Sequence, residues 1–274
     1  MTRQALTRLC SGALMAATLT GCLASTQQEV ELGSQYAAQI NQQLPIVRDA
    51  EVNRYINVLG DSIAKLADDR SLQWEFFVVD APEINAFAVP GGFVYVNRGL
   101  IERAANLSEL AGVLGHEIGH VTERHSMEQM RDMERANAGV TLACILTSVC
   151  NNQAAGALIN VAGTATFARF SREDEAEADA VGIRHVVRAG ISPQGIPSMF
   201  RRLMAERERS PSSLEGFFAT HPLEEARIAA TEAQIAQIDP AILRTLATDT
   251  QGFQAFKRRV RSLPPSPQRT QATR

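Results

Sequence analysis

The stretch NLSELAGVLGHEIGHV, residues 106–121, decides how this chain is read. Asn106 and Glu109 have the cap-to-third-residue spacing that starts a helix. The apolar Leu110, Val113, Leu114, Ile118 and Val121 then recur at helical intervals, which predicts a helix buried everywhere except on one face. That face carries H-E-x-x-H. His116 and His120 are four residues apart, so their imidazoles lie one turn apart on the same side, where they can hold a single Zn²⁺. Glu117 projects beside them, placed to take a proton from a water molecule activated by the metal.

A catalytic zinc site needs a third protein ligand. A third histidine at the H-E-x-x-H-x-x-G-x-x-H spacing is excluded, because Glu123 and Ser126 stand at the positions that pattern reserves for Gly and His. His125 falls one residue early and is expected to be a polar or packing histidine. The remaining donors cluster in the acidic run FSREDEAEADAVG, residues 170–182. Composition does not select among them. Glu175 and Asp179 are four apart and share a face with Arg172 and Gly182, a face without bulk that suits close packing on a metal site.

Upstream of the H-E-x-x-H helix, WEFFVV (74–79) reads as a strand. NAFAV (85–89) and FVYV (93–96) flank Pro90-Gly91-Gly92 and read as a hairpin. Residues 30–67 have helical apolar spacing, divided into two helices at Pro45, and nearly everything after the hairpin is helical to about Ile238. The expected fold is therefore α+β, mainly helical, with one small sheet and a zincin-like active-site helix. A peptidase-sized domain is expected over residues 31–245, followed by an extension over 246–274 that is polar and disordered at its end. The Phe93, Val94, Tyr95 and Val96 strand is expected to offer an edge on which an extended polypeptide could pair. The apolar stretch 139–168 falls in two halves, each shorter than a membrane span, and is expected to be a buried hairpin or a lid.

The amino terminus has the pattern of an export signal. Arg3 and Arg8 precede a short apolar segment from Leu9 to Leu19, which ends in Leu19-Thr20-Gly21-Cys22, a lipobox. Residues 1–21 are expected to be removed and Cys22 to carry lipid, with 22–30 as a tether and Leu23 favouring the outer membrane. Cys10 leaves with the signal, so Cys144 and Cys150 remain, as a disulfide or as two core thiols. The formal net charge is −3 with 21% charged residues, which gives no broad basic surface and argues against nucleic acid as a partner.

Four blocks in order carry a family resemblance: NAFAVPGGFVYVNRGLI (85–101), HEIGHVTERH (116–125), SREDEAEADAVG (171–182) and THPLEEARI (220–228). Together they resemble the gluzincin zinc metallopeptidases that include HtpX, the CAAX prenyl proteases and the Oma-type proteases, the forty-eighth metallopeptidase family. The lipobox and the soluble character point to the family's periplasmic BepA- and LoiP-like branch. The resemblance implies that Glu175 is the third zinc ligand, within E-x-x-A-D, and that Asp179 orients a zinc histidine or assists catalysis. It implies an endopeptidase acting on unfolded or misassembled envelope proteins, anchored to the membrane by lipid. His221 becomes a fourth ligand or latch, and Arg227 a candidate to hold the oxyanion. The alternative is an envelope chaperone or assembly factor on the same scaffold, which the intact Glu117 argues against.

Overall fold

The computed structural model describes residues 25–133, 135, 170–222 and 225–266. The signal segment, Cys22, Cys144, Cys150 and the whole 139–168 insertion lie outside the described residues. Helix α1 (Thr26–Gln43) starts at a capping box in which Ser25 and Gln28 satisfy each other's backbone amides. Helix α2 (Ala50–Ala67) starts at Asp49, whose carboxylate accepts from the amides of Glu51 and Val52. Pro45 lies in the break between them, as its missing amide favours.

Strands β1 (Glu75–Val79), β2 (Ala86–Val89) and β3 (Phe93–Asn97) form one sheet in the order β1-β3-β2. The β2–β3 hairpin is antiparallel and turns on Gly91 and Gly92, whose φ values of 83° and 100° disfavour side chains. β1 pairs parallel to β3 on its other side. One sheet face (Phe76, Val78, Val94, Val96) joins the main core with α2 and the H-E-x-x-H helix, while the other (Val79, Phe93, Tyr95) packs on Ala37 and Ile40 of α1. β3 is thus buried on both faces and paired on both edges, which is why it reads as a continuous apolar run.

This corrects the expectation for Phe93, Val94, Tyr95 and Val96: they form the central strand and offer no edge. The outer edge of β1 is taken by residues 45–47, through Val47 N–H to Val78 O at 2.8 Å and Asp80 N–H to Pro45 O at 2.7 Å. Among the described residues the edge without a strand partner is that of β2.

Helix α3 (Arg98–Arg103) leads into α4 (Leu107–Thr122), which carries H-E-x-x-H. Asn106 caps α4 by accepting from Glu109 N–H at 3.1 Å, and the Glu109 carboxylate reaches back one residue further, to Ala105 N–H at 2.6 Å. Every residue from Leu107 to Val121 is buried, so the metal face is covered as well, contrary to the one open face that the apolar spacing predicts.

After α4 come α5 (residues 125–133), α6 (Arg172–Arg188), α7 (Gly195–Arg209), α8 (Glu215–Thr220), α9 (Glu225–Ile235), α10 (Pro240–Leu243) and α11 (Gln251–Arg261). Beyond residue 245, Phe253, Phe256 and Val260 of α11 enter the same core, with Phe256 stacked on Tyr55 at 4.4 Å. No helix among the described residues is long and apolar enough to cross a membrane.

Candidate metal centre

α4 and α6 cross where side chains are missing. A β-carbon on Gly119 would come within 2.7 Å of Val181 Cγ2 and 3.0 Å of Ala178 O, and one on Gly182 within 3.2 Å of the Gly115 carbonyl carbon. The two helices can approach this closely only with glycine at these positions. The approach brings Glu175 and Asp179 of α6 onto His116 and His120 of α4. Ser171 and Asp174 form the capping box that starts α6 immediately before Glu175. His221, at the end of α8, closes the site from a third side.

His116, His120, Glu175 and His221 are all buried and converge, each offering one ligand atom within 4.8 Å of the others. His116 Nε2 lies 3.0 Å from His120 Nε2 and 3.6 Å from Glu175 Oε2, and His120 Nε2 lies 3.4 Å from Glu175 Oε1. A tetrahedron with arms of ~2.0–2.1 Å has edges of about 3.3–3.4 Å. His221 Nδ1 lies 2.9 Å from Glu175 Oε1 and 3.4 Å from His116 Nε2. Both oxygens of Glu117 are buried without a hydrogen-bond partner among the described residues, and the nearer is 3.6 Å from His221 Nε2. A buried carboxylate without a hydrogen bond, beside converging nitrogen and oxygen donors, is costly unless a cation and water complete it, so the residues present fit a divalent metal.

The polar surroundings prepare these donors. His116 Nδ1 faces Asp179 Oδ1 at 2.9 Å, so donation there leaves Nε2 with its lone pair toward the centre. Arg227 grips Asp179 with Nε at 2.8 Å and Nη2 at 2.7 Å; its Nη1 is bonded to Glu175 and, at 3.0 Å, to the Pro222 carbonyl. Its guanidinium also lies 4.7 Å over the Phe200 ring. In this arrangement each of its nitrogens is committed to holding the two carboxylates or the backbone, so the oxyanion role expected of Arg227 would require these contacts to change as the His221 segment moves.

Burial pushes the His120 ring well below the ordinary histidine range despite the pull of Glu175, which favours the neutral form that a ligand needs. Burial alone would raise Glu175, but its hydrogen bonds to His120 and His221 hold it well below the usual carboxylate range. Asp179 is likewise lowered against burial, by His116 and then Arg227. For His221 burial is outweighed by the Glu117 charge and by Glu175, which raise it.

Two neighbours are not evident from motif spacing. Phe170 stacks on His120 with centroids 3.9 Å apart, and its amide donates to Thr220 O beside His221. His125, expected to be a polar or packing histidine without a role at the metal, is buried with its Nδ1 2.9 Å from His120 Nδ1. An apolar pocket lined by Val113, Ile196, Met199, Phe200, Leu203 and Phe217 opens onto His116 and Glu117.

The model of peptidase family M48 matches residues 49–235, which include every element of this centre. The chain belongs to peptidase family M48. Among its M48 relatives, the β-barrel assembly-enhancing protease of Escherichia coli K12 is 34% identical over 235 residues, covering 83% of this chain and 48% of that protein. The mitochondrial metalloendopeptidase OMA1 of Schizosaccharomyces pombe is 30% identical over 174 residues, 64% of this chain and 50% of its own. The metalloprotease YcaL of E. coli K12 is 32% identical over 145 residues, 51% of this chain and 54% of its own. The chain thus spans about half the length of the curated M48 relatives it matches.

Proposed function

We propose that this chain is a zinc-dependent endopeptidase of the bacterial envelope that cleaves unfolded or misassembled proteins. The observation that carries this reading is the Glu117 carboxylate, fully buried yet without a hydrogen-bond partner among the described residues, beside the converging donors of His116, His120 and Glu175. A purely structural metal centre has no use for such a group. When bound, zinc would acidify water and polarise the scissile carbonyl. Glu117 accepts the proton of the attacking water and delivers it to the leaving amine. Asp179 and Arg227 keep His116 and Glu175 in place, so that the donors need not reorganise during the reaction.

An extended substrate pairs with the edge of β2 that no strand occupies, β2 being the strand with most contact to α4. The Asn97 N–H to Asn85 O bond sets the ladder's alternation, which directs the amide groups of Ala86 and Ala88 to that edge; both residues are buried, so pairing requires the edge to be uncovered first. Main-chain pairing recognises an unfolded segment more than a particular sequence. His221 acts as a latch, occupying the position that water needs until its segment moves. The lipobox at Cys22 supports export and anchoring to the outer membrane, and the relatives named for β-barrel assembly are bacterial. The test is reconstitution. Purified protein should contain about one zinc per chain and cleave casein, lose both with a strong chelator, and regain cleavage with zinc. Cleavage that survives complete metal removal would refute the proposal.

A further inference from the structure

His125 plays no part in the chemistry above, yet it is 3% exposed and sits against a metal-binding ring. Its Nδ1 is 2.9 Å from His120 Nδ1, and its Nε2 is 3.4 Å from Glu177 Oε2 and 4.0 Å from Asp174 Oδ1 on α6. We propose that His125 is a positioning residue of the metal centre, accepting the Nδ1–H of His120 and so turning the His120 Nε2 lone pair toward the metal. The inference rests on the reading of His120 as a ligand. For two facing Nδ1 atoms one ring must donate. If His120 is to bind through Nε2, its proton resides on Nδ1, and His125 must present a bare Nδ1 and carry its own proton on Nε2. The Glu177 carboxylate faces that Nε2, as this tautomer requires.

The backbone is shaped to deliver this ring. α4 ends at Thr122, and Arg124 adopts φ 64°, a left-handed conformation that reverses the chain and starts α5 at His125. A side chain other than glycine is uncommon there and must be held by its surroundings. Glu29 of α1, only 1% exposed, supplies the hold. Arg70 Nη1 donates to both Glu29 oxygens at 3.1 and 2.9 Å, and Arg70 Nη2 donates to Val121 O at 2.8 Å, the end of α4. Arg124 Nε stands 2.8 Å from Glu29 Oε2. The turn that presents His125 is therefore bolted to the first helix of the domain. Phe170 covers another side of His120 at 3.9 Å, leaving that ring little freedom once its Nδ1 is bonded.

The experiment compares zinc affinity, by competition with a chromophoric chelator, in wild type, His125→Leu and His125→Asn. Leucine and asparagine are similar in size, but only asparagine offers an acceptor oxygen. His125→Leu should bind zinc ~10- to 100-fold more weakly, and His125→Asn should recover much of that loss. If the leucine chain does not fold, as judged by circular dichroism, His125→Ala takes its place. Equal affinities for the asparagine and apolar variants, whether both near wild type or both equally weak, would overturn the inference and reduce His125 to packing. His116→Ala, run alongside, should remove zinc binding. Its failure to do so would overturn the ligand reading itself, a result distinguishable from equal behaviour of the His125 variants.

Discussion

His221 Nδ1 lies 2.9 Å from Glu175 Oε1, so the residue after α8 is held by a carboxylate of the candidate metal centre. Its other ring nitrogen faces Glu117 at 3.6 Å, in the space a reacting water would use. His221→Ala should therefore keep zinc and cleave unfolded substrate faster, or with less discrimination. If the latched form holds ~90% of molecules, its removal raises activity about tenfold. Casein turnover and zinc content check this together. Loss of cleavage with zinc retained would mean that His221 stabilises the transition state.

The three glutamates of α6 separate cleanly by burial: Glu175 is buried against the histidines, whereas Glu173 and Glu177 are exposed. Glu175→Ala should lose most of the bound zinc, and also leaves Arg227 facing a gap. Glu173→Ala should retain it fully and Glu177→Ala nearly so. Metal analysis after dialysis reads the difference, and equal loss in all three would count against Glu175 as a ligand.

Close approach of α4 and α6 makes Gly119 sensitive in a way that its position off the metal does not suggest. Gly119→Val would drive side-chain atoms into Val181 and the Ala178 carbonyl. A destabilisation of about 1–3 kcal/mol is expected from urea unfolding, with weaker zinc binding because Glu175 and Asp179 are pushed off α4. An unchanged urea midpoint would show that the helices can separate without penalty.

The proposed anchor rests on Cys22 within Leu19-Thr20-Gly21-Cys22. Cys22→Ser should abolish lipid labelling and shift exported protein out of the membrane fraction. Full recovery of that variant in membranes would remove the lipoprotein reading.

Much of this centre is legible in the sequence because its key spacings are local. The i, i+4 relation of His116 and His120, and of Glu175 and Asp179, follows from helix geometry alone, and Gly182 marks the face without bulk. What is not legible depends on long-range pairing. The hairpin of β2 and β3 is readable, but the parallel addition of β1 to β3 is not, and that addition makes β3 central and moves the open edge to β2. The Arg227 contacts to Asp179 and Glu175 join residues some fifty apart, and nothing local distinguishes a gripping arginine from a free one. His125 falls outside the H-E-x-x-H repeat, and only the left-handed turn at Arg124 brings it back to His120.

In the proposed reaction Glu117 transfers the proton at a centre that it does not help to assemble. The measurement is zinc content and casein cleavage of Glu117→Gln beside wild type. Glutamine keeps the shape and removes the base, so zinc should remain at the wild-type ratio while cleavage falls by ~10²- to 10⁴-fold. Wild-type cleavage by the zinc-loaded Glu117→Gln protein would contradict the account.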